Sequence, residues 1–188
     1  MTMQTDADRA IEEVKFALST SRIKLLEIIS EKIYGVKDWK ESYKGNYLVI
    51  GGVAMYIYGY ERYTEDLDVA FLLETDIPKD VYKFKMTREH GFIHLKTHVE
   101  VETVTPKHIN TSVERMSIIF KRKILADGVY IPDLISMILL KIGRFNDNDI
   151  KDVSFLVGLC RKQNIEFDFS DFELTEIEKS NIELALAL

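Results

Sequence analysis

Cysteine is almost missing from this chain: Cys160 is the only one, which excludes an internal disulfide and any zinc cage built on thiolates. That thiol is expected to serve as a small buried hydrophobe. Proline is scarce as well, at Pro78, Pro106 and Pro132, and no proline-rich linker, internal repeat or low-complexity tract divides the sequence. The 188 residues are therefore expected to fold as one domain, 1–188. No apolar run approaches the ~20 residues of a membrane helix, so no membrane partner is expected. Met1 to Glu13 is polar and acidic rather than basic and then apolar, unlike a secretory leader, and the expected location is cytoplasmic. A formal net charge of -6 argues against broad nonspecific nucleic-acid affinity, although Lys121-Arg122-Lys123 forms a local basic run.

What is present is a pattern of mixed strands followed by helices. From Asp6 to about residue 35, Ile11, Val14, Phe16, Leu18, Leu25, Ile28, Ile29 and Ile33 have broadly helical spacing, broken at Ser19-Thr20-Ser21. A core of about residues 45–131 follows. Tyr47 to Ile50 reads as a short strand, Val53 to Tyr58 as a short helix, and Asp66 to Leu73 as a strand buried on both faces. Phe92 to Val104 is the best-patterned strand region, one strand or two with a bend, with His94, Lys96, His98, Glu100 and Glu102 sharing a face. Ser117 to Leu125 and Val129 to Ile131 read as a hairpin turning at Asp127-Gly128. Residues 132–188 carry three helical patterns, Pro132 to Arg144, Asp149 to Lys162 and Thr175 to Leu188. The expected class is α/β or α+β, a mixed β-sheet flanked by helices with a C-terminal helical part.

The chemistry-bearing segment is Ile50-Gly51-Gly52, thirteen residues, then Asp66-Leu67-Asp68-Val69. Glycines after a strand let backbone approach a ligand closely, and the helix that follows offers free N–H groups to phosphate. Asp66 and Asp68 lie two apart on a strand, so they project from one face as paired hard oxygen ligands. Magnesium combines one or two carboxylates with substrate phosphates, so the two halves suit one another. A third acid on a neighbouring strand would complete the set.

Ile50 to Val69 resembles the signature of the nucleotidyltransferase superfamily (polymerase-beta-like fold): hydrophobic-Gly-Gly, a spacer, then Asp-hydrophobic-Asp. Arg62-x-Thr64-x-Asp66-x-Asp68 is similar to the form found in small prokaryotic members related to abortive-infection toxins. The resemblance implies a nucleotidyltransferase fold, Mg2+ or Mn2+ as cofactor and a nucleoside triphosphate as substrate. It implies a third acid between hydrophobic neighbours, which is Glu100 or Glu102. Glu100 fits the bare pattern better and is favoured as the metal ligand beside Asp66 and Asp68; Glu102, followed by Val104-Thr105-Pro106, resembles the run in several relatives. Gly51, Gly52, Arg62, Thr64 and Lys141 are the implied nucleotide-binding residues, with Arg62 and Thr64 either touching phosphate or bracing the turn. Ile131-Pro132-Asp133-Leu134-Ile135 leading to Lys141, Arg144, Asp149 and Asp152 resembles the helical region of the same relatives. For Lys141 a phosphate contact and a structural ion pair weigh equally; for Arg144 the ion pair is favoured.

The function implied is transfer of a nucleoside monophosphate to an acceptor hydroxyl. The acceptor would be tRNA, for a toxin with a partner antitoxin protein, or else a protein that is adenylylated or a small molecule such as an antibiotic. The alternative is a non-catalytic relative that binds nucleotide or a partner. Other constellations are weaker. His90, His94 and His98 recur every four residues, but Gly91 and the β-branched neighbours favour a strand, where that step spans roughly 13 Å and prevents shared ligation. They are expected at the surface or in a cleft. Tyr56, Tyr58, Tyr60 and Tyr63 are expected mainly to pack. No Gly-x-Ser-x-Gly elbow accompanies a hydrolase triad.

Overall fold

The computed structural model describes residues 30–61, 64, 66–88 and 90–187. The expected N-terminal helices over 6–35 fall largely outside that set, as do Arg62 and Tyr63. A helix over residues 30–42, α1, leads to β1 (Leu48–Val49), α2 (Gly51–Ile57) and β2 (Leu67–Ala70). After a 3-10 turn at Glu74–Asp76 come β3 (Phe84–Arg88), β4 (Gly91–His94) and β5 (Glu100–Val104). Then follow α3 (Val113–Lys121), β6 (Ile124–Ala126), β7 (Val129–Ile131), α4 (Leu134–Ile142), α5 (Asp147–Gln163) and α6 (Glu176–Ala187).

Five strands form one mixed sheet in the order β1-β2-β5-β4-β3, and β6 and β7 form a separate hairpin. Among the described strands only the β2–β5 pair is parallel; its register sets Asp68 opposite Glu102 and Leu67 opposite Val101. The interior strand β2 is buried apart from Asp68, with Leu67, Val69 and Ala70 fully shielded, as expected for a strand covered on both faces. Beside it, β5 alternates: Val101 and Thr103 are buried, Glu102 is half-buried and Glu100 is exposed. The region 92–104 is thus an antiparallel pair, and the bend expected within it is a turn in which His98 adopts a left-handed φ of 57°.

Trp39 on α1 anchors the layer over the sheet. It is fully buried, with its ring edge-on to Phe84 (5.1 Å) and Phe92 (5.3 Å). Truncating such a ring costs about 3–5 kcal/mol. On the same helix, Asp38 accepts from His94 Nε2 at 3.0 Å and from Lys83 at 2.7 Å. Burial raises the Asp38 carboxyl, but the hydrogen bonds from Lys83 and His94 outweigh it and hold the group below its ordinary value. His94 is 1% exposed, which excludes the surface place expected for it, and it lines a hollow with Tyr34, Asp38 and Lys83. Its partner stands 56 residues upstream, beyond the reach of strand periodicity.

The segment 117–121 is helix, not the first strand of a hairpin. Ser112 caps α3 by accepting from the Arg115 N–H at 3.0 Å, and Met116, Ile119 and Phe120 bury one face at helical spacing. The hairpin that does turn at Asp127-Gly128 is the shorter β6–β7. In the C-terminal part Asp133 caps α4 through the Ser136 N–H and Asn146 caps α5, while Asn164 ends α5 in a left-handed conformation. Cys160 is buried in α5 with its thiol pushed up to about 11, by burial first and by Asp133 second. Tyr58 donates to the Pro132 carbonyl at 2.6 Å and Tyr60 stacks on Phe155 at 4.8 Å, so these tyrosines pack. No helix among the described residues is long and apolar enough to cross a membrane.

Candidate metal centre

Glycine makes room for the acids. Gly51 begins α2 at φ +64°, a conformation costly to any residue with a Cβ, and a Cβ there would overlap the Asp68 carboxylate. A Cβ on Gly52 would run into Thr64. Thr64 is buried, and its hydroxyl donates to the Asp66 carbonyl at 3.3 Å. These contacts brace the turn. The Ile50 N–H donates to the Asp68 carbonyl at 3.1 Å, which ties the glycine turn to the strand carrying the acid.

Asp66, just ahead of β2, Asp68 within it and Glu102 on β5 each offer one carboxylate oxygen, and these three oxygens lie within 4.8 Å of one another. Glu100 does not join them. On a strand Glu100 and Glu102 share a face, but Glu102 is level with Asp68 in the parallel register, whereas Glu100 is one side-chain repeat away and exposed. The sequence preference for Glu100 as the metal ligand is corrected by that register. Burial first, then the charges of Asp66 and Glu102, pushes the Asp68 carboxyl up to about 6, against a smaller opposing effect of Lys141 and Arg144. Three oxygen donors set against one another in this way fit a hard divalent cation, Mg2+ or Mn2+, better than a soft one.

The cluster opens on a cleft of about 290 Å³ that includes Gly51, Asp68, Glu102, His108, Lys141 and Arg144. Lys141, 5% exposed, projects from α4 and pairs with Asp152 at 2.7 Å and Asp149 at 3.4 Å. Arg144 is much more open and reaches Asp149 at 3.3 Å. Lys141 is therefore an ion-paired lysine that also lines the cleft. Apolar wall comes from Ile50, Val104, Ile109, Met137 and Leu140.

Two neighbours of the cluster were not singled out from the sequence. His108 is held by Thr105, whose backbone N–H donates to Nδ1 at 3.1 Å, and its ring meets His90 at 4.5 Å. Arg88 comes from β3 and stands 3.8 Å from Glu102. Neither lies in a motif, and β3 itself carries a weak strand pattern, Lys85 to Arg88 being exposed. No protein-family model matches the chain, and no curated protein matches it.

Proposed function

We propose that the protein is a nucleotidyltransferase that uses Mg2+ or Mn2+ to move a nucleoside monophosphate from a triphosphate to an acceptor hydroxyl. The observation that carries this reading is the meeting of Asp66, Asp68 and Glu102 within 4.8 Å, beside a glycine turn and above a cleft that holds Lys141 and Arg144. Asp66, Asp68 and Glu102 would hold the metal, which when bound supplies neutralisation of phosphate charge and Lewis-acid polarisation for an in-line displacement. Glu102 takes the proton of the acceptor hydroxyl as that oxygen bonds to the α-phosphorus. The bond to the β-phosphate breaks and pyrophosphate leaves. Lys141 and Arg144, on the cleft side, balance the charge that develops on the leaving group. Gly51 keeps the Asp68 carboxylate in its place, and Thr64 keeps Gly52 and Asp66 in theirs.

The first acceptor class to test is tRNA, with an antitoxin protein as partner, and the second is a small molecule such as an antibiotic. Incubation with each labelled nucleoside triphosphate, Mg2+ and a total cell extract reads the activity directly, and the size of the labelled product gives the acceptor class. Label transferred only with the divalent ion supports the enzyme. Tight nucleotide binding without label in any product identifies a binding module instead.

A further inference from the structure

The three acids have a second hollow beside them. The first cleft contains Asp68 and Glu102 together with Lys141 and Arg144. The second, of about 200 Å³, contains Asp66 and Glu102 together with Thr87, Arg88, Gly91 and Glu100. Glu102 borders both, so the cluster forms a ridge between a hollow with two cations from the helical part and a hollow built on β3, β4 and β5. In an in-line displacement the attacking and leaving oxygens approach phosphorus from opposite sides. One hollow can then serve the triphosphate and the other the acceptor.

We infer that the hollow between Arg88 and Glu100 is the acceptor site, and that it takes a single sugar-sized, hydroxyl-bearing ring carrying an anionic group such as phosphate. This rests on the nucleotidyltransferase reading above. Its volume of about 200 Å³ accommodates one such ring. Among the described residues lining it, Arg88 is the one cation, and it projects a planar fork suited to phosphate. At 3.8 Å from Glu102 that fork is beyond direct hydrogen-bond distance, and its side chain is 66% exposed. The place of Arg88 is built into the strand turn: a Cβ on Gly91 would come within 2.7 Å of the Arg88 Cγ and 2.9 Å of its Nε. The Arg88 stem lies across the bare glycine, at the point where β4 pairs with Glu102 of β5. Glu100, on the same rim and exposed, accepts from a ring hydroxyl next to the reacting one.

The probe is ribose 5-phosphate, titrated calorimetrically into the full chain with Mg2+ and a non-hydrolysable triphosphate analogue already bound; unphosphorylated ribose is the control. The expected result is that ribose 5-phosphate binds alongside the analogue and ribose binds at least tenfold more weakly. Arg88→Ala should weaken ribose 5-phosphate at least tenfold and change the analogue less than twofold, with Arg88→Lys between. Gly91→Ala, which shifts Arg88 without removing its charge, should weaken the sugar phosphate in the same direction. Arg144→Ala should do the reverse, weakening the analogue and sparing the sugar phosphate. Competition between ribose 5-phosphate and the analogue would overturn the inference, as would an Arg88→Ala variant, melting like the parent, that binds ribose 5-phosphate normally. Failure of the parent to bind the sugar phosphate while it binds the analogue sinks the acceptor site and leaves the nucleotide reading standing. Failure to bind the analogue at all sinks both.

Discussion

Asp68 and Glu102 stand opposite each other on the parallel strand pair β2–β5, so backbone register itself brings their carboxylates together. With Asp66 added, like charges crowd where burial already disfavours charge. Such an arrangement costs stability in the metal-free protein, and that cost can be measured.

The Asp68 carboxyl rises from an ordinary 3.8 to about 6 in the fold. A raised folded value means that the native state holds the proton more tightly, so its stabilising effect is present at low pH and is lost as pH rises through about 6. The charged form at pH 7.5 then costs about 1–3 kcal/mol. Without divalent metal, Asp68→Asn should melt a few degrees above the parent at pH 7.5, and the gap should close toward pH 5. A variant that melts below the parent at pH 7.5 would show that the acids are not in conflict.

Glu102 and Glu100 should separate cleanly in metal binding. Titration of Mn2+ followed by calorimetry should find affinity reduced roughly 10-fold or more by Glu102→Gln, since loss of a direct ligand costs at least as much as loss of an outer-shell partner. Glu100→Gln should bind Mn2+ nearly as the parent does. The opposite order would contradict the register as the selecting feature.

Gly51→Ala places a methyl group where the Asp68 carboxylate lies, at a positive φ. About 1–2 kcal/mol of backbone strain is expected from that conformation alone. The variant should melt lower and also lose most of its Mn2+ affinity, because Asp68 must move. A variant that is destabilised yet binds Mn2+ normally would remove the glycine from the account of the site.

Lys141 is a buried cation facing Asp152 and Asp149. Lys141→Met should cost about 3–5 kcal/mol in chemical denaturation, the scale for removing one partner of a buried pair. Adding Asp152→Leu should recover a good part of that loss. Independent, additive losses would mean that the pair is not coupled.

Much of this site could be read along the chain, for reasons that are local. Asp66 and Asp68 share a face because side chains on a strand repeat every two residues, and Gly51 and Gly52 mark a turn that residues with a Cβ would strain. The helices α4, α5 and α6 follow from apolar spacing, while their caps at Asp133 and Asn146 emerge only in the fold. What could not be read depends on pairing between distant segments. The choice of Glu102 over Glu100 is fixed by where β5 slides against β2, and that register has no signature within β5. His94 looked like a polar strand residue until α1 brought Asp38 to it. The helix α3 was hidden because Ile118, Ile119 and Phe120 suit a strand as well as a helix, and the Ser112 cap decides the matter a turn earlier.

The central claim is that the acid cluster serves nucleotide transfer, and the most direct test compares the parent with Asp66→Asn/Asp68→Asn. Each is incubated with labelled triphosphates, Mg2+ and a total cell extract, with circular dichroism verifying that both are folded. The parent should place metal-dependent label in an acceptor, and the folded double variant none. Equal labelling by the two proteins would contradict that claim.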